Sequence, residues 1–376
     1  MKPTFETSTT VPLGDAANVL AQVLAHLREH DLLAIERDNT WQVDYADTKI
    51  RFSVLAGSLH AQVAASSAAT LYEGKMMVVH HIQEFGHCKP EAIQWQGDNV
   101  SLDRPPAFRL ITVQAVSEVG PHMRRVRFNV DDLARYDQND NIHCKLIFPQ
   151  PDVSEPEWPT LAADGMPQFP KGDKRLDIRT YTIRRISAPE GWFEVDFVLH
   201  EDAGPGSRWA AQAVAGQQIG LSGPGGRTAR SAGWMLLGGD ETALPAIARI
   251  TEALPADTNG VVLIEVQSPA DQIPLATPAG MSVQWLHRGN AAAGTTTLLE
   301  DAVTACTISK DEDRFVWVGA EFSTAQTVRN WLREAVGLGS REQLVVAYWR
   351  RGLDETQMKS APGRATADEQ AKQAGA

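Results

Sequence analysis

Cysteine is scarce: there are three in 376 residues, Cys88, Cys144 and Cys306, far apart and with no Cys-x-x-Cys spacing. This argues against a disulfide framework and a structural zinc site, and it fits a reducing compartment, so a cytoplasmic location is expected. No apolar run approaches the ~18–20 residues of a membrane span, so no membrane insertion is expected. The opening MKPTFETSTTVPLGDA has no apolar core, so no secretory signal is expected. Positive charge is in deficit. Lys and Arg number 35 against 47 Asp and Glu, a net charge of −12, which argues against nucleic acid as a partner. A local basic pocket remains compatible with that balance. No internal repeat is visible.

What is present is ordinary globular composition, 43% hydrophobic and 22% charged. The length suggests two or three domains. Residues 15–30, DAANVLAQVLAHLREH, read as an amphipathic helix with Asp15 as N-cap and a stripe of Val19, Leu20, Val23, Leu24 and Leu27. Short strands follow at WQVDYAD, IRFSVLAG and SLHAQVAAS, then a helix over 68–86. Residues 1–100 are therefore expected to form a small α+β domain. Pro105 and Pro106 mark an extended linker. From 107 to 230 the chain is rich in strands, with a Pro-, Gly- and Asp-rich loop over 150–175, and an antiparallel β-barrel is expected. In WFEVDFVLH the alternation of Phe193, Val195, Phe197 and Leu199 with Glu194, Asp196 and Val198 reads as a half-buried strand. From 231 to 355, short apolar strands alternate with helices, the pattern of a doubly wound α/β domain. Residues 356–376 are small and polar and are expected to be disordered.

Three stretches carry candidate chemistry. RTYTIRR, 179–185, gathers arginine, tyrosine and threonine on one strand. Arg179, Tyr181 and Ile183 share one face, and Thr182 and Arg184 the other. An aromatic ring can pack on a flavin, a hydroxyl can bond its edge, and an arginine can pair with a pyrophosphate. Reaching one flavin from both faces requires the strand to twist or end there. In HEDAGPGSRWAAQAV, Gly204, Gly206 and Ser207 precede a helix, an arrangement that suits phosphate. GGDETALPAIARI, 238–250, runs from strand through glycines into a helix with Pro245 in its first turn, but lacks the G-x-G-x-x-G fingerprint. VVAYWRRG, 345–352, ends a strand in two aromatics and two arginines.

Arg179, Tyr181 and Thr182 match the R-x-Y-[ST] pattern of the ferredoxin-reductase-like superfamily. With RLITVQAVSEVGPHMRRVRF, HCKLIFP, LHEDAGPGSRWA, LLGGDETALPAIARI, WVGAEFSTAQTVR and AYWRRG, residues 107–354 resemble the siderophore-interacting protein family of FAD-dependent ferric-siderophore reductases. Residues 11–98 resemble a small domain of unsettled function that is fused ahead of some members.

The resemblance implies FAD held by Arg179, Tyr181, Thr182 and Arg184. His200, Asp202, Gly204, Gly206, Ser207 and Trp209 would surround its pyrophosphate and adenosine. Asp240, Glu241 and Thr242 would lie where nicotinamide enters, with Tyr348 and Trp349 near the exposed flavin face. Electrons would come from NAD(P)H, or from ferredoxin, and pass to a ferric siderophore bound by Lys145, Arg350 and Arg227. Many relatives carry a basic residue in a G-P-R-G turn where this chain has Gly225, so Arg227 substitutes only if the loop bends inward. That departure points to a less negatively charged siderophore, such as a hydroxamate or citrate type. No side-chain acid or base is required, no resident metal is expected, and a monomer is expected. The cluster of His80, His81, His87 and Cys88 reads as a packed or solvated helix end rather than a metal or haem site. The rival readings are a general flavin or ferredoxin reductase, and a non-catalytic siderophore-binding protein that traffics iron.

Overall fold

A computed structural model of the chain describes residues 5–29, 32–45, 47–98, 103–200, 204–309 and 313–360. Contacts divide it into two units. One comprises 1–108 with 149–176, and the other 109–148 with 177 onward. The loop expected within the barrel region thus packs with the N-terminal strands.

In the first unit a six-stranded antiparallel sheet is built from β1 (Phe5–Pro12), β2 (Ala34–Arg37), β3 (Thr40–Tyr45), β4 (Thr48–Leu55), β5 (Ser58–Ala65) and β6 (Trp95–Gly97), in the order β2-β3-β4-β5-β1-β6. Strict alternation on β5 buries Leu59, Ala61, Val63 and Ala65. They pack with α1 (Ala16–Glu29) and α2 (Ala68–Gly86). Asp15 Oδ1 accepts from Asn18 N at 3.1 Å, and Ser67 caps α2 through Thr70 N. The sequence reading missed β1, whose buried positions include Thr7 and Thr9.

The second unit opens with β7 (Arg109–Gly120), β8 (Met123–Asn129) and β9 (His143–Phe148). The chain then makes its excursion through 149–176, where β10 (Thr160–Leu161) pairs with β11 (Pro167–Gln168). Asp164 fixes that excursion within the first unit. It accepts from Gln83 Nε2 at 2.8 Å, and its carbonyl accepts from Trp95 Nε1 at 2.9 Å. The second unit resumes with β12 (Asp177–Thr182), β13 (Arg185–Ser187), β14 (Trp192–Val198), helix α3 (Pro205–Gln212) and β15 (Gln218–Gly225). These seven strands form one antiparallel sheet in the order β12-β9-β15-β7-β8-β14-β13. β12 and β13 lie at opposite ends of that order, yet only Ile183 and Arg184 separate them. The sheet therefore curls until its edges meet, which makes the expected barrel. Phe193, Val195 and Phe197 fill its interior. The other face of β14 is not solvated as its alternation suggested. Asp196 and Glu194 are buried beside their cross-strand partners on β8, where Arg125 Nε donates to Asp196 at 2.6 Å and Arg127 Nε to Glu194 at 2.9 Å.

The remaining strands, β16 (Trp234–Gly239), β17 (Asn259–Val266), β18 (Gly280–His287), β19 (Arg314–Glu321) and β20 (Gln343–Trp349), form an all-parallel sheet in the order β18-β17-β16-β19-β20. On β16, Met235 and Leu237 pack with α4 (Leu244–Ala253), while Leu236 packs with α5 (Leu298–Ala305) and α6 (Phe322–Trp331). Helices thus cover both faces, the doubly wound arrangement. The strand order reverses between β16 and β19, so the crevice outside their C-terminal ends is the expected ligand position. One expectation is corrected here: residues 356–360, placed in the disordered tail, belong to a helix, α7 (Glu355–Ser360). Residues 361–376 lie outside the described residues. No described helix is long and apolar enough to cross a membrane.

Candidate functional site

A cleft of about 1950 Å³ in the second unit gathers most of the residues marked in the sequence. Its volume is roughly twice the upper end of the ~300–1,000 Å³ range of small-molecule pockets, which leaves room for more than one ligand. The β9–β12 ladder sets out its floor. Register pairs Lys145 with Thr180 and His143 with Thr182, so these four share one face. Arg179 and Tyr181 take the other, beside Leu146 and Cys144. β12 ends at Thr182, as access from both faces requires.

On the inner face, Tyr181 lies against Phe197 with ring centroids 4.5 Å apart, and burial raises its phenol above the ordinary range. A Cβ on Gly206 would come within 2.1 Å of the Tyr181 hydroxyl, so the lack of a side chain there lets α3 reach the ring. Ser207, in the first turn of α3, is 6% exposed, and its Oγ has no hydrogen-bond partner among the described residues. Gly204, Gly206 and Ser207 line the cleft with Arg179. A buried hydroxyl without a partner, a glycine-dependent approach and an unspent helix N-terminus fit the phosphates of a dinucleotide such as FAD. Tyr181 and Thr182 line the same cleft.

On the outer face, His143 Nε2 and the Tyr348 hydroxyl share a hydrogen bond of 2.8 Å. Burial, helped by the charges of Arg249 and Lys145, pulls His143 down to about 4, so the ring is neutral. Trp349 Nε1 donates to Asp240 Oδ2 at 2.8 Å. Gly294, at φ +68°, lies so close that a Cβ would meet the Trp349 ring at 2.9 Å. Asp240 itself is buried and does not line the cleft. Its carboxylate accepts from Thr242 N, Thr242 Oγ1 and Glu321 N, so it braces the β16 turn rather than facing a ligand. Glu241 and Thr242 do line the cleft. Glu241 pairs with Arg288, and burial followed by repulsion from Asp240 pushes its carboxyl up to about 7.

The cations expected for substrate, Lys145, Arg227 and Arg350, all line the cleft, as do Arg288, Arg329 and Arg333, which sequence reasoning did not single out. No local motif marks those three; the parallel sheet gathers them. Arg350 also lies over the Phe322 ring, 4.5 Å from its centroid.

Two expected flavin contacts are corrected. Arg184 does not line the cleft. It is 3% exposed, and its guanidinium makes two bonds, of 2.6 and 2.8 Å, to Glu252 of α4. The strand ends before it, so alternation no longer fixes its direction. Trp209 turns into the barrel interior, 5.3 Å from Phe148 and 5.8 Å from Phe197 by ring centroids, because its phase on α3 faces the sheet. His200 lines the cleft, whereas Asp202 lies outside the described residues.

In the first unit, His81 is buried and its Nδ1 bonds the Met77 carbonyl oxygen at 2.7 Å, while exposed His80 pairs with Glu84. His87 holds the left-handed position that ends α2. Among the described residues no group of three or more His, Cys, Asp or Glu is placed to hold a metal ion.

Comparison with known proteins decides the family. Residues 112–228 match the siderophore-interacting FAD-binding domain, and 232–352 match the siderophore-interacting protein model. An uncharacterized protein of Mycobacterium bovis is 35% identical over 256 residues, 65% of this chain and 90% of that protein. The structure of a siderophore utilization protein from T. fusca, 37% identical, superposes with a TM-score of 0.60 over 66% of this chain and 94% of its own. The chain belongs to the siderophore-interacting protein family. Another relative, the ferric vibriobactin reductase of Vibrio cholerae, is 29% identical over 259 residues, 66% of this chain and 91% of that protein. Ahead of the siderophore-interacting region, residues 8–96 match an uncharacterized bacterial domain, DUF2218. Its presence agrees with the small fused domain expected there.

Proposed function

We propose that this chain is a cytoplasmic flavin-dependent reductase that passes electrons from NAD(P)H, or from ferredoxin, to a ferric siderophore and so releases Fe(II). The observation that carries the reading is the convergence on one cleft of two chemistries, one set being Tyr181, Thr182, Gly206 and Ser207 and the other Lys145, Arg227 and Arg350. The first set suits a flavin dinucleotide and the second an anionic iron complex. Similarity to a ferric vibriobactin reductase supports the same reading.

A flavin held there would supply the exchange between two-electron donation by a nicotinamide and one-electron reduction of iron. The residues of the chain do the rest. Arg179 offsets the pyrophosphate, Thr182 bonds the ring edge, and the wall formed by Tyr348 and Trp349 limits water at the reacting face. Lys145 and Arg350 orient the iron complex. Siderophores use hard oxygen donors, which hold Fe(III) far better than Fe(II), so reduction itself frees the metal.

The test is anaerobic. The purified protein is mixed with a ferric siderophore and NADH, NADPH or reduced ferredoxin in separate runs, and Fe(II) is trapped with a ferrous chelator. Flavin absorbance near ~450 nm that bleaches while Fe(II) accumulates supports the reading. Bleaching without Fe(II) would replace it with a general flavin reductase. Absence of flavin even after FAD is supplied would leave a siderophore-binding protein.

A further inference from the structure

The cation expected to receive the substrate already holds an anion from the same chain. Glu355, at the start of α7, places its carboxylate on the outer face of β12. Its Oε2 accepts from the Thr180 backbone N–H at 2.7 Å, and its Oε1 from the Thr180 hydroxyl at 2.6 Å. Lys145 Nζ lies 3.3 Å from the same Oε1. One step back, Asp354 reaches Arg179 across 3.7 Å. Met358 secures the segment, being 5% exposed. Cross-strand register sets Lys145 directly beside Thr180, so the three donors belong to one ladder position rather than to a chance surface meeting.

Three donors meeting on one carboxylate define a seat for an oxyanion. We propose that Glu355 is a specificity-determining residue: it fills the Lys145–Thr180 seat from within the chain, and a ligand enters only by replacing it with a carboxylate of its own. The proposal rests on the reading of Lys145 as a substrate cation. An internal anion at effective concentration taxes each external ligand by the fraction of molecules in which the seat is taken. A ligand with a free carboxylate or α-hydroxycarboxylate arm recovers all three bonds. One without such an arm recovers none of them and faces a seat whose charge is already balanced.

The experiment uses the full chain with its flavin, and ferric citrate as the probe. Binding is followed by quenching of tryptophan fluorescence, separately from any turnover. Glu355→Gln removes the charge but keeps the shape, and is expected to tighten ferric citrate by about tenfold. Lys145→Met is expected to weaken it in either background. A second readout keeps the idea testable if the Gln variant folds poorly. In the unsubstituted protein, ferric citrate is expected to speed amide hydrogen exchange at 355–358. Unchanged or weaker binding by Glu355→Gln, or exchange at 355–358 that does not respond to ferric citrate, would overturn the proposal. These outcomes do not depend on Fe(II) formation. Failure to reduce iron would sink the proposed function while tighter binding by Glu355→Gln left the seat standing.

Discussion

The hydroxyl of Tyr348 and Nε2 of His143 lie 2.8 Å apart, joining the last strand of the parallel sheet to the third strand of the barrel. Nδ1 of the same imidazole is buried and has no partner among the described residues. The ring therefore depends on Tyr348 for its hydrogen bonding. Tyr348→Phe is expected to leave a buried nitrogen unsatisfied and to cost about 1–3 kcal/mol. A lower urea midpoint at unchanged m-value would show it. An unchanged midpoint would mean that water takes the place of the hydroxyl.

The same histidine makes stability depend on pH. Folding lowers its pKa from 6.5 to about 4, chiefly by burial, with Arg249 and Lys145 adding repulsion. Below 6.5 the unfolded chain takes up the proton more readily than the folded one. The contribution is therefore complete above 6.5 and is lost as pH falls toward 4, to a total of roughly 3 kcal/mol. Glu241 acts in the opposite sense, because its carboxyl is raised to about 7 and the folded state gains relative stability as it protonates. The overall curve mixes the two, so the difference between unsubstituted protein and His143→Phe is the quantity to measure. The gap in unfolding free energy between them is expected to narrow from pH 7 to pH 4.5. Parallel curves would show that His143 does not titrate differently on folding.

Much of this was legible from local pattern. Apolar alternation located β4, β5 and β14, and strand–glycine–helix punctuation located the turn after β16. What failed did so where a residue's direction is set by tertiary structure. Alternation set Arg184 on the face of Thr182 and the resemblance gave it a flavin contact, but the barrel closes at that point and α4 supplies Glu252. Trp209 follows a phosphate-type turn, yet helical phase sends it to Phe148. Polar composition suggested a disordered tail from residue 356, immediately after Glu355. Its partners, Lys145 and Thr180, are more than 170 residues away in sequence, and no local signal announces them. β1 was missed because Thr7 and Thr9, both 2% exposed, occupy core-side positions where apolar residues mark most strands.

Two of the three arginines of the RTYTIRR stretch, Arg179 and Arg184, are expected to separate in their effects. Arg184 joins the barrel to α4 through Glu252, whose side chain is 34% exposed, so solvent screens the pair. Arg184→Met is expected to lower stability by about 1–2 kcal/mol, below the range for a fully buried pair, with flavin content unchanged. Arg179 lines the cleft, and Arg179→Met is expected to lose flavin while holding its melting temperature in the flavin-free form. Absorbance ratios at ~450 nm against 280 nm, beside melting curves of flavin-stripped protein, measure both quantities. Loss of flavin from the Arg184 variant, with retention in the Arg179 variant, would reverse the assignment.

Ser207→Ala gives a test in which the two effects have opposite signs. The hydroxyl is buried in the first turn of α3, and nothing among the described residues bonds it. In the flavin-free protein its removal takes away an unsatisfied polar atom, so stability is expected to hold or to rise by up to about 1 kcal/mol. With flavin the expectation reverses. A hydrogen bond to a charged phosphate is worth about 1.5–3 kcal/mol, so its loss is expected to weaken FAD binding by tenfold or more. Fluorescence titration of stripped protein with FAD gives the affinity, and urea unfolding without FAD gives the stability. A purely structural serine would move the second quantity and spare the first. Equal FAD affinity in the two proteins would therefore remove Ser207 from the phosphate site. It would leave Arg179 and the backbone of α3 to hold the pyrophosphate without it.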